Sequence, residues 1–148
     1  MSAPAKRSPS KGTRSRPKGP SEIAPGVFVG TWNDALRFEG ARFCVLDEAP
    51  EDMPAATHIP IYDERSGSAL RPNLDRLAKE IGSARASGRP VLVFCGHGIR
   101  RSPLGGAWYL HRSEQMPLEE AYARVRSVRP KVEIPRMWMD HAESLEEA

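Results

Sequence analysis

The stretch Val91-Leu-Val-Phe-Cys95-Gly-His-Gly-Ile-Arg-Arg101-Ser102-Pro103 decides how this chain is read. Val91 to Phe94 is apolar at every position and flanked by Pro90 and Gly96, the pattern of a central parallel strand buried on both faces. Cys95 ends that strand, a glycine-containing loop follows, and Pro103 sits in a first-turn position of a helix beginning near Ser102. Backbone N–H groups of such a loop can point inward, and the unsatisfied N–H groups of the helix's first turn add to them. The helix dipole favours negative charge at the same place. The stretch therefore predicts a phosphate-sized anion site built from Gly96, His97, Gly98, Ile99, Arg100 and Arg101, with Cys95 at its base.

Two chemical consequences follow. A thiol ringed by N–H donors at a helix N-terminus, close to Arg101, is drawn toward the thiolate, which is the nucleophilic form. A guanidinium can hold two equatorial phosphate oxygens at once and stabilise charge that develops during transfer. Cysteine, five residues, then arginine thus places a nucleophile and a phosphate clamp on one loop.

Working outward, strand-like and helix-like pieces alternate. Val27-Phe28-Val29 is a short apolar run, and Asn33 or Asp34 is the expected cap of a short helix through Phe38. Strands are expected over Arg42 to Leu46 and Thr57 to Tyr62. Pro72 opens a helix with Leu74, Leu77, Ala78 and Ile81 at helical spacing, and Gly88 lies beyond its end. Helices are expected over Ser102 to His111, over Pro117 to Val128, and from about Pro135, where Ile134, Met137, Trp138, His141 and Leu145 share a side. Alternation followed by helices alone predicts an α/β class, a small mostly parallel sheet flanked by helices.

The charge is uneven. The 148 residues hold 22 Lys+Arg and 19 Asp+Glu, a net of +3, with a pI of about 9.1. Residues 1–21 carry six of the cations (Lys6, Arg7, Lys11, Arg14, Arg16, Lys18) and no acid, so residues 22–148 keep sixteen against nineteen, a net of −3. Seventeen of those first 21 residues are Lys, Arg, Ser, Pro or Gly and none is aromatic, a composition that cannot offset its ordering entropy. We therefore expect a disordered basic tail over residues 1–21 and a folded domain over 22–148. The tail's role is a solvated arm or a contact with an acidic partner or nucleic acid.

No apolar run approaches the ~18 residues a membrane helix needs, so no span is expected. No apolar segment follows the basic N-terminus, which speaks against a secretory signal, and its four prolines speak against an amphipathic transit helix. Cys44 and Cys95 are too few for a disulfide framework or a four-thiolate zinc site. His58, His111 and His141 lack metal-ligand spacing and read as structural or surface residues. The expected setting is a monomer in the reducing cytoplasm, with no metal or other cofactor.

Cys95-Gly-His-Gly98-Ile-Arg-Arg101-Ser102 resembles the C-x-x-G-x-x-R-[ST] loop of the cysteine-dependent protein tyrosine phosphatases, best the small dual-specificity branch. Ile59-Pro-Ile-Tyr-Asp63 is similar to the segment carrying that family's general acid, and Asp63 precedes Cys95 by 32 residues, a spacing typical of the branch. Gly26 to Ala35 is similar to its opening strand and turn, and Arg126-Ser-Val-Arg-Pro130 to the end of its penultimate helix. The resemblance implies a dual-specificity phosphatase-like fold and a hydrolase acting on phosphorylated protein through a phosphocysteine intermediate. It implies Cys95 as nucleophile, Arg101 as phosphate clamp, Asp63 as general acid and then base, and Ser102 as the hydroxyl that stabilises the departing thiolate.

A domain of 127 residues lacks room for the recognition elements of the large tyrosine-specific enzymes, so a shallow, permissive pocket is expected. One departure stands out: the family's usual histidine before the cysteine is Phe94 here, which implies reduced or altered activity, or a phosphate-binding pseudophosphatase. His97 and Arg100 keep two other substrates open, RNA 5′-triphosphates and phosphoinositides. Asp47, Asp52, Glu64 and Asp75 rival Asp63 as the acid, and Cys44 reads as packing or as a redox partner of Cys95.

Overall fold

The computed structural model describes residues 19–63, 65 and 68–133. Its order is β1 (Ser21–Ala24), β2 (Val27–Thr31), α1 (Trp32–Arg37), β3 (Ala41–Cys44), β4 (Thr57–His58), β5 (Tyr62–Asp63), β6 (Ser68–Ala69), α2 (Arg71–Ala86), β7 (Val91–Cys95), α3 (Arg101–Ser113) and α4 (Leu118–Val128). The main sheet runs β1-β2-β7-β3-β4. β2, β7, β3 and β4 are mutually parallel, and only β1 is antiparallel, to β2. This is the mostly parallel α/β layer that the alternating pattern predicts.

β7 lies at the centre because its sequence is apolar on both faces, and every one of its residues is buried. Val91, Val93 and Cys95 enter the larger core, roofed by α2, α3 and α4. Leu92 and Phe94 point to the opposite face, with Ala35 of α1 and Cys44. A short helix alone cannot cover that face, so the partly buried Phe28, Trp32 and Phe38 complete it. Parallel strands with a crossover direct the carboxyl end of the central strand to a crevice, the usual place for a ligand.

Several boundaries differ from the sequence expectations, four of them for a local reason. The cap of α1 is Thr31, not Asn33 or Asp34: its hydroxyl accepts from the Asp34 N–H at 3.2 Å while the Asp34 carboxylate accepts from the Thr31 N–H at 2.9 Å, a reciprocal capping box. The strand expected over Thr57–Tyr62 splits at Pro60, which has no N–H to give a ladder. Its first half pairs with β3, and Tyr62–Asp63 instead pairs antiparallel with β6. β3 covers Ala41–Cys44 rather than Arg42–Leu46, though the Val45 N–H still reaches the Phe94 carbonyl at 3.1 Å. Finally, the fold begins before Glu22: Ser21 is a buried residue of β1 whose hydroxyl accepts from Arg129 Nη1 at 2.9 Å. The helix expected from Pro135 and most of the expected tail lie outside the described residues. Among the described residues, no helix is long and apolar enough to cross a membrane.

Gly105 and Gly106, costly in a helix interior, are explained by how closely α3 lies on the sheet. A Cβ on Gly106 would stand 2.7 Å from Val29 Cγ1 and 2.8 Å from Ile23 Cδ1. One on Gly105 would stand 2.9 Å from Leu77 Cδ2. Gly106→Val should therefore lower unfolding stability by about 1–3 kcal/mol through overpacking. Urea denaturation measures it, and an unchanged midpoint would contradict the close approach.

Candidate active site

The carboxyl end of β7 places Cys95 where the loop turns back over it. Its Sγ receives the Gly98 N–H at 3.2 Å and the Ser102 N–H at 3.4 Å, and the Ser102 hydroxyl oxygen lies 3.5 Å away. Ser102 belongs to the first turn of α3, where N–H groups have no partner inside the helix, so the thiol takes up a donor the helix cannot use. Ser102 is wholly buried and its hydroxyl donates to the Gly30 carbonyl at 3.0 Å, so stabilising a thiolate requires this single proton to swing toward sulfur.

Gly98 makes the turn possible. Its φ is +69°, which favours glycine, and an added Cβ would lie 2.6 Å from Arg129 Nη2 and 3.0 Å from the Gly30 carbonyl oxygen. Cys95, His97, Ile99, Arg100 and Arg101 line a cleft of about 410 Å³, with Leu46 and Glu133 completing its walls. The loop residues expected from sequence are thus together. Arg101 lies under partial cover, its Nη2 facing Asp47 Oδ1 at 3.6 Å.

Asp63 is the expected residue that stands apart. It closes β5, its carboxylate accepts the Arg65 N–H at 3.0 Å across the turn toward β6, and it does not line the cleft. Asp75, a rival for the same role, is committed elsewhere, accepting from Trp108 Nε1 at 2.9 Å and Arg71 Nε at 2.9 Å. His58 meets the Leu46 carbonyl and His111 the Met116 carbonyl, both structural contacts. The parallel register sets Cys44 opposite Phe94, on the face away from Cys95. Burial pushes the Cys44 thiol pKa up, with repulsion from Cys95 adding to it against a lowering hydrogen bond from Leu46. That combination suits packing and not a redox partner. Phe94 shares the Cys44 face and meets Trp32 edge-on at 6.3 Å between ring centroids. No hydrogen bond to Sγ runs through the side chain at position 94.

Arg129 is the residue whose weight the sequence reading missed. Nearly buried at the end of α4, it donates from Nε to the Gly98 carbonyl at 2.8 Å and from Nη1 to the Ser21 hydroxyl. Burial lowers its pKa, while the charges of Asp34 and Cys95 act to raise it, so the guanidinium interacts electrostatically with Cys95 as well as bracing the loop. The Arg-Pro pair closing a helix was its only signal. Glu133 was missed too: its N–H donates to the Ile99 carbonyl at 3.0 Å and its carboxylate accepts from Arg100 Nε at 2.8 Å.

With fold and site in place, the chain proves similar to known proteins. Residues 47–144 match the family model of the dual specificity phosphatase catalytic domain, and the chain belongs to that family. It is 36% identical over 127 residues to human dual specificity protein phosphatase 12, covering 76% of this chain but only 37% of that one. Human dual specificity phosphatase 28 is 28% identical over 78% of this chain and 72% of its own. The crystal structure of human DUSP28 superposes with a TM-score of 0.72 at 24% identity, covering 88% of this chain and 95% of that one, a likeness of fold.

Arg129→Met removes the donors to the Gly98 carbonyl and Ser21. Leaving buried acceptors unmatched should cost about 1–3 kcal/mol in urea unfolding. Losing the nearby cation should also slow iodoacetamide alkylation of Cys95 several-fold at neutral pH in a Cys44→Ser background. Equal alkylation rates would confine Arg129 to a packing role.

Proposed function

We propose that this protein hydrolyses phosphomonoesters on proteins, phosphotyrosine and also phosphoserine or phosphothreonine, through a phosphocysteine intermediate. The observation that carries the reading is the convergence of the Gly98 and Ser102 N–H groups on Cys95 Sγ, at the base of a loop that ends in Arg101. The thiolate attacks phosphorus and the bond to the leaving oxygen breaks, while Asp63 gives that oxygen a proton. Loop N–H groups and the Arg101 fork hold the non-bridging oxygens as charge develops. Water then attacks phosphorus, Asp63 takes its proton, the P–S bond breaks, and Ser102 stabilises the thiolate that returns. Asp63 must reach the leaving oxygen only in the substrate complex, so its place at the β5–β6 turn is compatible with the role.

Phe94 packs against Trp32 on the far face, which favours an active enzyme over a phosphate-binding pseudophosphatase. Arg100 is engaged by Glu133, which weakens the case for RNA triphosphates or phosphoinositides, where a spare loop cation would serve. A reducing compartment such as the cytoplasm would preserve the thiol.

The test is hydrolysis of p-nitrophenyl phosphate and of a phosphotyrosine peptide. Cys95→Ser should abolish turnover, and Arg101→Lys should cost about 10²–10³-fold by losing the two-pronged clamp. Asp63→Asn should cost about 10²–10⁴-fold with the peptide, whose leaving group needs a proton more than nitrophenolate does. Equal rates in wild type and all three variants would sink the mechanism.

A further inference from the structure

Arg100 and Glu133 meet at the mouth of the cleft, and the reaction proposed above requires neither. The Glu133 N–H is tied to the Ile99 carbonyl at 3.0 Å, so the backbone itself holds this carboxylate beside the loop. From there it accepts from Arg100 Nε at 2.8 Å. Both side chains are mostly exposed, 62% and 58%, and an ion pair of that kind adds little stability. Its consequence lies in the field at the entrance. A second carboxylate, Asp47, faces Arg101 at 3.6 Å, and Glu48 lines the adjoining hollow beside Asp47 and Arg101. Each arginine of the loop therefore has a carboxylate opposite it, and with Glu48 these five groups carry three negative charges against two positive.

A phosphate dianion is still held, because the loop N–H groups and the Arg101 fork make direct, directional contacts with it. Negative charges elsewhere on a substrate have no such contacts. They sense the summed field, from which Glu133 removes the attraction Arg100 would exert. We infer that Glu133 is a specificity-determining residue, which cancels Arg100 and turns the site toward phosphopeptides with neutral or basic residues beside the phosphoresidue and away from acidic ones. The inference rests on the phosphatase reading above and names a substrate class within it.

The experiment uses the full chain and two phosphotyrosine peptides of one length, with two lysines or two glutamates flanking the phosphoresidue. The readout is the ratio of their kcat/KM values, from which any general change in activity cancels. The two peptides differ by four units of charge, and at low salt each unit near the mouth is worth about 1.8-fold, so wild type should prefer the lysine peptide by about tenfold. The preference should shrink in 0.5 M salt, where the Debye length falls to about 4 Å from about 30 Å at 0.01 M. Glu133→Gln should narrow the ratio at least threefold, while Glu133→Asp, which keeps the charge, should preserve most of it. A wild-type ratio near one, a ratio unmoved in Glu133→Gln, or an aspartate variant that behaves like the glutamine would each overturn the inference. Those failures leave the phosphatase reading standing as long as p-nitrophenyl phosphate is turned over. If wild type turns over neither peptide nor p-nitrophenyl phosphate, both fall.

Discussion

Arg129 is the constraint on which the site depends. One guanidinium, almost entirely out of water, joins three stretches far apart in sequence: the start of β1 through Ser21, the end of α4 on which it sits, and the loop through the Gly98 carbonyl. A buried cation is expensive unless its donors are used and a counter-charge is near. Here the donors meet a carbonyl and a hydroxyl, and the opposing charges are Asp34 and Cys95. The interaction thus ties the fold to the loop: whatever releases Arg129 also frees the Gly98 carbonyl and withdraws a cation from the neighbourhood of Cys95.

Around that brace the loop is built almost wholly from backbone. Gly98 turns through positive φ so that its N–H faces Sγ while its carbonyl faces Arg129. The Gly30 carbonyl, at the end of β2, receives Ser102. Both glycines work by close approach, since a Cβ on Gly98 would strike Arg129 and one on Gly30 would strike the Asp34 carboxylate. The same Asp34 completes the capping box of α1, so the short helix, the β2 terminus and the anion loop are fixed together.

Much of this was legible in the sequence, and the rest was not for definite reasons. Unbroken apolar character marks Val91 to Phe94 as a two-sided central strand, and its glycines and Arg101 mark the loop that follows. Segment ends were less legible. Thr31 won the α1 cap over Asn33 because strand pairing brings β2 to an end there, and Pro60 broke a strand whose apolar flanks, Ile59 and Ile61, are both fully buried. Asp63 illustrates the harder limit: a family resemblance implies a role for it, but the turn holding it is set by pairing with β6.

By itself, then, the sequence determined the layer architecture and the glycine-containing loop that joins Cys95 to Arg101, because these arise from residues adjacent in the chain, where periodicity and spacing translate directly into geometry. Tertiary structure alone decided which partners those residues have. That Arg100 is answered by Glu133, Arg101 by Asp47 and the Gly98 carbonyl by Arg129 depends on contacts across 33, 54 and 31 residues. It also decided that Phe94 and Cys44 face away from the thiol beside them in sequence or sheet. Local pattern carries no information about such separations, because they are fixed only when the strands take their order and α4 folds back over the loop.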